Sequence, residues 1–329
     1  MSWSQFTDYQ PPYWLFNGHL QTIIPSQFRK VESVNYERQR LHTPDDDFLL
    51  LDWSVAESDR LVIISHGLEG DSNRPYILGM VRAFNRASWD ALAWNFRGCG
   101  GEINHTLRFY HSGATDDLDL VISHALSQKQ YKSITLVGFS LGGNLTLKYL
   151  GESGDKLPPQ VKVGVAFSVP LDLYTCSEQI SSPANFVYSR RFLKNLKKKV
   201  SQKVLHMPND LSTMHFNQIK SLKDFDDFYT APLHGFKDAM DYYTHCSSLY
   251  YLEDIKVPTL LVNAKNDPFL SDKCYPVEML RDHPYVHLET PLSGGHVGFM
   301  PRGAGADDNY WSEDRAVTFA KAKLQGRSY

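Results

Sequence analysis

The sequence predicts an α/β fold in which a mostly parallel, twisted β-sheet carries helices on both faces. Short apolar runs, many of them β-branched, alternate along the chain with longer amphipathic segments, and this alternation is typical of strands joined by crossover helices. One of these runs leads directly into a Gly-x-Ser-x-Gly pentapeptide at residues 138–142, and a segment with helical spacing follows. The pentapeptide therefore lies where a predicted strand turns into a predicted helix.

The predicted strands are short and come at regular intervals. They cover residues 48–54, 61–65, 91–95, 133–137, 161–168, 259–263 and 286–289. Helices are predicted over residues 74–86, 114–127, 144–150 and 314–323, and Thr115 is the predicted N-cap of the second, because acidic residues follow it.

The strand signal disappears between residues 170 and 252. This stretch contains a basic segment at 190–199 and an aromatic-rich part from 225 to 243. We interpret it as a helical insertion, in the position of a lid, within a single domain spanning 1–329 whose first 40 residues form an N-terminal extension. The basic segment is interpreted as a solvated helix face, and attraction to an anionic surface or ligand is the alternative.

Composition excludes several classes of protein. The chain has 34 basic and 37 acidic residues, a net charge of −3, which gives no electrostatic reason to expect a nucleic-acid partner. Four scattered cysteines form no CxxC pair, so reduced thiols are expected. A basic-then-apolar leader and an apolar run of about 18 residues are both missing, so we expect a cytoplasmic protein without stable membrane insertion.

Ser140 is the predicted nucleophile. A Gly-x-Ser-x-Gly sequence forms a nucleophile elbow when a strand precedes it and a helix follows, because the serine then occupies a strained turn that tolerates only small neighbours. The β-branched strand at 133–137 supplies that context. A glycine-rich helix start without chemistry would explain the glycines but not the other parts of the site.

The sequence also predicts an oxyanion hole made of two backbone amides. The glycine-punctuated loop His66-Gly67-Leu68-Glu69-Gly70 follows the strand at 61–65. The amide of Leu68 is expected to pair with that of Leu141, the residue after the nucleophile. His66 is expected to be structural, because the general base should follow the nucleophile in the chain.

Asp267 and His296 complete a predicted triad. Asp267 comes just after the strand at 259–263, where a carboxylate can accept the Nδ1–H of a histidine and fix its tautomer. His296 lies in a glycine-rich loop after the last strand. Weaker candidates for the acid are Asp254, Asp282 and Glu289, and for the base His283 and His287. The separation of four between the last two could suggest a helical metal pair, but Pro284 lies between them and the segment is a predicted strand, so we do not expect a metal site.

At these residues the chain resembles the α/β-hydrolase superfamily, and more narrowly its YheT-like esterase branch. Six blocks that span nearly the whole chain carry the narrower match, at residues 18–23, 66–70, 95–100, 138–144, 225–230 and 294–299. The resemblance implies hydrolysis of carboxylic esters by Ser140, Asp267 and His296. Residues 18–23 would either lie near the site or serve packing alone.

We therefore expect a serine esterase that acts on a small-molecule ester and uses no cofactor or metal. The predicted substrate-pocket residues are His66, Phe139, Phe186, Phe225, Tyr229 and Tyr243. The same triad would also suit a thioesterase, an amidase or an acyltransferase. A catalytically silent binding protein and a metal-dependent hydrolase are the alternatives from other classes. The sequence does not predict the oligomeric state.

Overall fold

The strands form one mostly parallel sheet in the computed structural model, which describes residues 3–4, 7–305 and 308–327. The nine strands of this part of the chain are β1 (Trp3–Ser4), β2 (Glu37–His42), β3 (Phe48–Ser54), β4 (Arg60–Ser65), β5 (Asp90–Asn95), β6 (Ser133–Phe139), β7 (Val161–Phe167), β8 (Thr259–Val262) and β9 (Val286–Glu289). Their order across the sheet is β1-β9-β8-β7-β6-β4-β5-β3-β2. Only β2–β3 and β3–β5 pair antiparallel.

Eleven α-helices are present in the described ranges. They are α1 (Gly18–Phe28), α2 (Pro75–Arg86), α3 (Thr115–Gln128), α4 (Leu141–Ser153), α5 (Leu173–Ser181), α6 (Phe186–His206), α7 (Leu222–Phe225), α8 (Ala231–Leu233), α9 (Ala239–Cys246), α10 (Val277–Leu280) and α11 (Trp311–Leu324). One π-helical turn, Asp226–Thr230, joins α7 to α8.

The sheet is covered on both faces because alternate residues of its strands enter different cores. In β4, Leu61 and Ile63 pack in one core with α3 and α4, whereas Val62 and Ile64 pack in the other with α2 and α11. Burial on both sides explains why the strands are almost continuously apolar. The predicted mostly parallel sheet with helices on both faces is confirmed.

The segment between β7 and β8 is helical, as the loss of strand signal indicates. No strand lies between Phe167 and Thr259, and α5 to α9 occupy this segment. Its apolar side chains form two small clusters, one of which combines Leu193, Phe225 and Tyr229 with Phe109 from the loop after β5. Residues of α5, α6 and α7 line a cavity together with Ser140, so these helices lie beside the carboxyl end of β6.

Two local expectations differ from the structure. Thr115 is not the N-cap of α3, because Ala114 occupies that position and the Thr115 hydroxyl bonds the Glu152 carboxylate instead. The sequence predicted no regular element before residue 48, yet α1 and β2 lie there. The four cysteines are buried and carry free thiols.

Candidate active site

Ser140 is the single residue between β6 and α4. Its backbone has φ 53° and ψ −121°, a conformation that costs a non-glycine residue about 1–3 kcal/mol. Gly142 allows the tight turn, because a Cβ there would lie 2.4 Å from the carbonyl oxygens of Ser65 and His66. The amide of Leu141 belongs to the first turn of α4 and has no acceptor within the helix. The predicted strand-to-helix elbow is thus present at Ser140.

His296 and Asp267 are joined by a hydrogen bond between their side chains. The Nδ1 atom of His296 lies 2.9 Å from Oδ2 of Asp267, and the Asp267 carboxylate is fully buried. The other carboxylate oxygen accepts the backbone N–H of Phe269 at 2.9 Å. Because Asp267 engages Nδ1, the Nε2 atom is the nitrogen of His296 available for proton transfer.

The competing acids and bases lie elsewhere. Glu289, at the end of β9, forms an ion pair with Arg315 of α11. His283 accepts backbone amides of its own turn through Nδ1, and His287 packs against the ring of Phe319. His283 and His287 line neither of the cavities that contain Ser140, whereas His296 lines both.

The loop after β4 leaves one amide unpaired beside Ser140. The N–H of Gly67 donates to the Tyr76 hydroxyl at 3.0 Å, and the N–H of Glu69 donates to the Tyr110 hydroxyl at 2.9 Å. The amide of Leu68 lies between them and donates to no residue in the described ranges. Leu68 also lines the cavity at Ser140, which is the position expected for an oxyanion donor.

Glu69 is held through every polar group it has. Its carboxylate accepts the Lys199 ammonium at 2.7 Å and the Tyr110 hydroxyl at 2.7 Å, while its carbonyl accepts Nη2 of Arg74 at 2.8 Å. Its φ of 53° is unusual for a side chain of this size. Because Lys199 comes from α6, this network links the insertion to the loop that carries the Leu68 amide.

The first helix holds the histidine loop. The hydroxyl of Thr22 accepts the backbone N–H of His296 at 2.9 Å, and Oε1 of Gln21 accepts the N–H of Gly294 at 2.7 Å. Gln21 is almost fully buried, with an exposed fraction of 2%. The segment at residues 18–23 therefore lies at the site, which is one of the two possibilities that the sequence left open.

Asn266 connects the same helix to the loop of the acid. Its side-chain amide donates to Oε1 of Gln21 at 3.0 Å, and its Oδ1 accepts the N–H of Gly295 at 3.0 Å. Gly18 must be small, because a Cβ there would lie 1.9 Å from the Asn266 carbonyl oxygen. The loops of Asp267 and His296 are thus fixed to each other and to α1. Gly18 and the amide residue Gln21 of this block were the sequence signal that pointed to close packing, although they did not identify the partner loop.

A largely apolar cavity extends from Ser140 into the insertion. It is lined near the serine by Leu68 and His296 and farther away by side chains of the insertion. Those side chains include Leu173, Ile180, Phe192, Leu196, Val200, Leu222, Phe225, Tyr229 and Tyr243. Phe225, Tyr229 and Tyr243 are the three predicted pocket residues that the structure places there.

The other three predicted pocket residues do not line this cavity. His66 is fully buried, its Nδ1 contacts the Gly67 carbonyl and its Nε2 accepts the Phe96 amide, and burial lowers its pKa to about 3. Phe139 is buried in the core on the other side of the turn, where it stacks on Phe167. Phe186, at the start of α6, is 60% exposed. His66 and Phe139, which lie next to the predicted oxyanion loop and nucleophile, therefore point into the protein interior. Phe186 shows that an aromatic residue of the insertion can face solvent instead of the site.

One carboxylate of the cavity has an altered acidity. Burial raises the pKa of Asp226 to about 6, although hydrogen bonds from the hydroxyls of Thr230 and Tyr243 oppose that change.

The described residues include no cluster of three or more potential metal ligands. Among them, no helix combines the length and the apolar character needed to cross a membrane.

A model of the α/β hydrolase fold matches residues 60–302. The protein named "Putative esterase YheT" from Escherichia coli (strain K12) is 35% identical over 99% of this chain and 96% of its own length. The Homo sapiens protein named phospholipase ABHD3 is 30% identical over 89% of this chain and 73% of its own.

Solved structures agree on the fold. The Pyrococcus furiosus esterase PF2001 superposes with a TM-score of 0.59 at 18% sequence identity, covering 89% of this chain and 92% of that one. At this identity the likeness concerns the arrangement of strands and helices. The fold that the sequence predicts is confirmed.

Proposed function

The chain belongs to the α/β-hydrolase family, and from this premise we propose that it is a serine esterase that cleaves carboxylic esters through an acyl-enzyme on Ser140. The observation that carries the proposal is the pairing of His296 with the buried Asp267 beside a serine on a strained elbow. The names of YheT as an esterase and of ABHD3 as a phospholipase support the same class of reaction.

The reaction follows from the roles of these groups. Nε2 of His296 accepts the hydroxyl proton as Ser140 Oγ attacks the ester carbonyl, and Asp267 stabilises the imidazolium that forms. The amides of Leu68 and Leu141 bind the oxyanion of the tetrahedral intermediate. As the tetrahedral intermediate collapses and its C–O bond breaks, the imidazolium of His296 protonates the departing alkoxide. Water activated by the neutral imidazole then hydrolyses the acyl-enzyme, which releases the acid and regenerates the Ser140 hydroxyl.

The cavity indicates which part of the substrate it holds. Its walls are mainly aliphatic and aromatic, so an acyl chain would gain about 0.8 kcal/mol for each methylene that it buries there. We therefore propose a small-molecule ester with an aliphatic acyl group. The insertion would act as the lid of this acyl pocket, because residues between 170 and 252 supply most of its walls.

Thioesters, amides and acyl acceptors other than water would use the same triad. A binding protein without activity is a less favourable hypothesis, because the Asp267 carboxylate is buried in a position that orients His296 and has no other charged partner among the described residues. Measured turnover separates these possibilities.

Hydrolysis of p-nitrophenyl esters tests the proposal. The wild-type protein should hydrolyse acyl chains from acetate upwards, with burst kinetics where deacylation is slow, and Ser140→Ala should lower kcat by at least about a thousandfold. Turnover that survives Ser140→Ala would exclude the proposed nucleophile, and loss of turnover with a chelator would favour a metal-dependent reaction. A thioester and an amide with the same acyl group would identify the preferred leaving group.

A further inference from the structure

A second cavity meets the acyl cavity at the proposed catalytic residues. The two share Leu68, Ser140 and His296, together with the rings of Phe192 and Phe269. The walls of the second cavity come from α1, the loop after β4, the start of α2 and the first half of α6. An ester carbonyl at Ser140 would therefore face two separate spaces.

The second cavity contains four charged side chains besides the histidine, and two of these are neutralised by buried partners. Arg29 donates both of its terminal nitrogens to the Glu313 carboxylate, at 2.5 and 3.0 Å. Glu69 is paired with Lys199 at 2.7 Å. These two pairs contribute little net charge to the cavity.

The other two charged side chains are arginines with spare donors. Arg74 has only a distant carboxylate, Oδ2 of Asp71 at 3.8 Å from its Nε, and one of its terminal nitrogens binds the Glu69 carbonyl. Arg191 is exposed and makes no hydrogen bond or ion pair with any residue of the described part of the chain. The second cavity is thus positively charged, whereas the first is mainly apolar.

We infer that the second cavity binds the alcohol portion of an ester and that Arg74 and Arg191 recognise an anionic group on that alcohol. This inference rests on the proposed esterase function and names the substrate class. The acyl and alcohol portions of an ester diverge from the carbonyl carbon, so an acyl chain in the apolar cavity directs the alcohol into the other one. A guanidinium fork binds the paired oxygens of a phosphate or a carboxylate.

The location of the arginines agrees with the chemistry of the step. His296 lines both cavities and must protonate the departing alkoxide, so the alcohol has to lie within its reach. Within the basic segment 190–199, Arg191 lines the second cavity whereas its neighbour Arg190 lies in a separate surface groove. Position along α6 therefore distinguishes a ligand-binding cation from a solvated one.

The test compares esters that share an acyl chain and differ in the charge of the alcohol. We would measure kcat/KM for 1-decanoylglycerol, 1-decanoylglycerol 3-phosphate and O-decanoyl glycolate in low salt. The anionic esters should be preferred, and Arg191→Ala should lower the ratio of anionic to neutral kcat/KM by about five- to tenfold. Arg191→Lys should retain part of the ratio, and added NaCl should reduce it. The phosphate and carboxylate substrates distinguish the two sources of negative charge.

Arg190→Ala is the matched control, since it removes the same charge one residue away, outside the cavity. The ratio should stay at the wild-type value in this variant. Hydrolysis of the neutral ester with no preference for the anionic ones, or an equal effect of Arg190→Ala and Arg191→Ala on the ratio, would overturn the inference and leave the esterase proposal intact. Failure to hydrolyse any of the three esters would instead count against the esterase function itself.

Discussion

The hydroxyl of Thr22 accepts a hydrogen bond from the backbone amide of His296 at 2.9 Å, across 274 positions of the chain. The same hydroxyl donates to the carbonyl of Gly18 one turn earlier. Because Gln21 also accepts the amide of Gly294, α1 binds the loop of the proposed base at two backbone amides. The first helix is therefore part of the structure that orients the imidazole.

Thr22→Val should lower kcat by about tenfold with little change in KM. Valine keeps the shape of threonine but leaves the His296 amide without its acceptor, which costs about 1–3 kcal/mol in a buried site. Steady-state kinetics with a p-nitrophenyl ester measures the effect. Thr244→Val is the control, because Thr244 makes the same bond to the carbonyl one turn earlier on the exposed side of α9. Equal losses in the two variants would argue against orientation of His296 by Thr22.

The ion pair between Lys199 and Glu69 should stabilise the fold and position the Leu68 amide. Lys199→Met removes one partner of a pair whose side chains are 11% and 9% exposed, so the free energy of unfolding should fall by about 3 kcal/mol. Adding Glu69→Gln should restore much of that stability, because no uncompensated carboxylate remains. Urea titration of the single and double variants measures both effects.

Catalysis should respond differently from stability in these variants. The double variant should still have a reduced kcat, because the amide preceding Glu69 is no longer held in place, while KM changes little. Lys198→Met is the matched control on the same helix, since Lys198 is exposed and forms no ion pair with the described residues. Full recovery of kcat in the double variant would contradict the positioning role.

Asp226 should make stability depend on pH between about 4 and 6. Its pKa is about 6 in the folded protein against an ordinary value of 3.8, so the folded state keeps a proton that the unfolded state has lost. Its contribution is fully present below pH 3.8 and is lost as pH rises through 6, by at most about 3 kcal/mol. Relative to wild type, Asp226→Asn should therefore become more stable as pH rises from 4 to 7. Unfolding curves at pH 4, 5, 6 and 7 test this, and a constant difference between the proteins would contradict it.

Filling the acyl cavity should shorten the preferred acyl chain. Ile180 on α5 lines the cavity, and Ile180→Trp should lower kcat/KM for a decanoyl ester by about tenfold while an acetyl ester loses less than about twofold. Val187→Trp is the control, because Val187 is 73% exposed and lies outside both cavities. An equal effect on the two esters would mean that the chain does not enter this cavity.

The sheet and the elbow could be predicted because their signals are local. The β-branched run before Ser140 and the glycines around it determine a strand and a tight turn within about ten residues. The Asp267 and His296 loops could be predicted because each follows a strand end. Parallel strands bring such ends to one edge of the sheet.

The rest depends on contacts between distant parts of the chain. The block at residues 18–23 stands out in the sequence, but nothing in it specifies that Gln21 and Thr22 bind a loop more than 270 residues away. The sequence also could not predict which way the side chains of the insertion point. Phe186 faces solvent and Phe225 faces the cavity, although both are aromatic. The packing of helices on helices decides which face each residue occupies, and that packing is not encoded locally.

Covalent labelling with a fluorophosphonate, followed by intact-mass and peptide mass spectrometry, tests the role of Ser140 most directly. The wild-type protein should gain one adduct per chain, located on the peptide that contains Ser140. His296→Ala should label more slowly by several orders of magnitude, and Ser140→Ala should not label at that position. An unlabelled wild-type protein, or an adduct on a residue other than Ser140, would contradict the proposed mechanism.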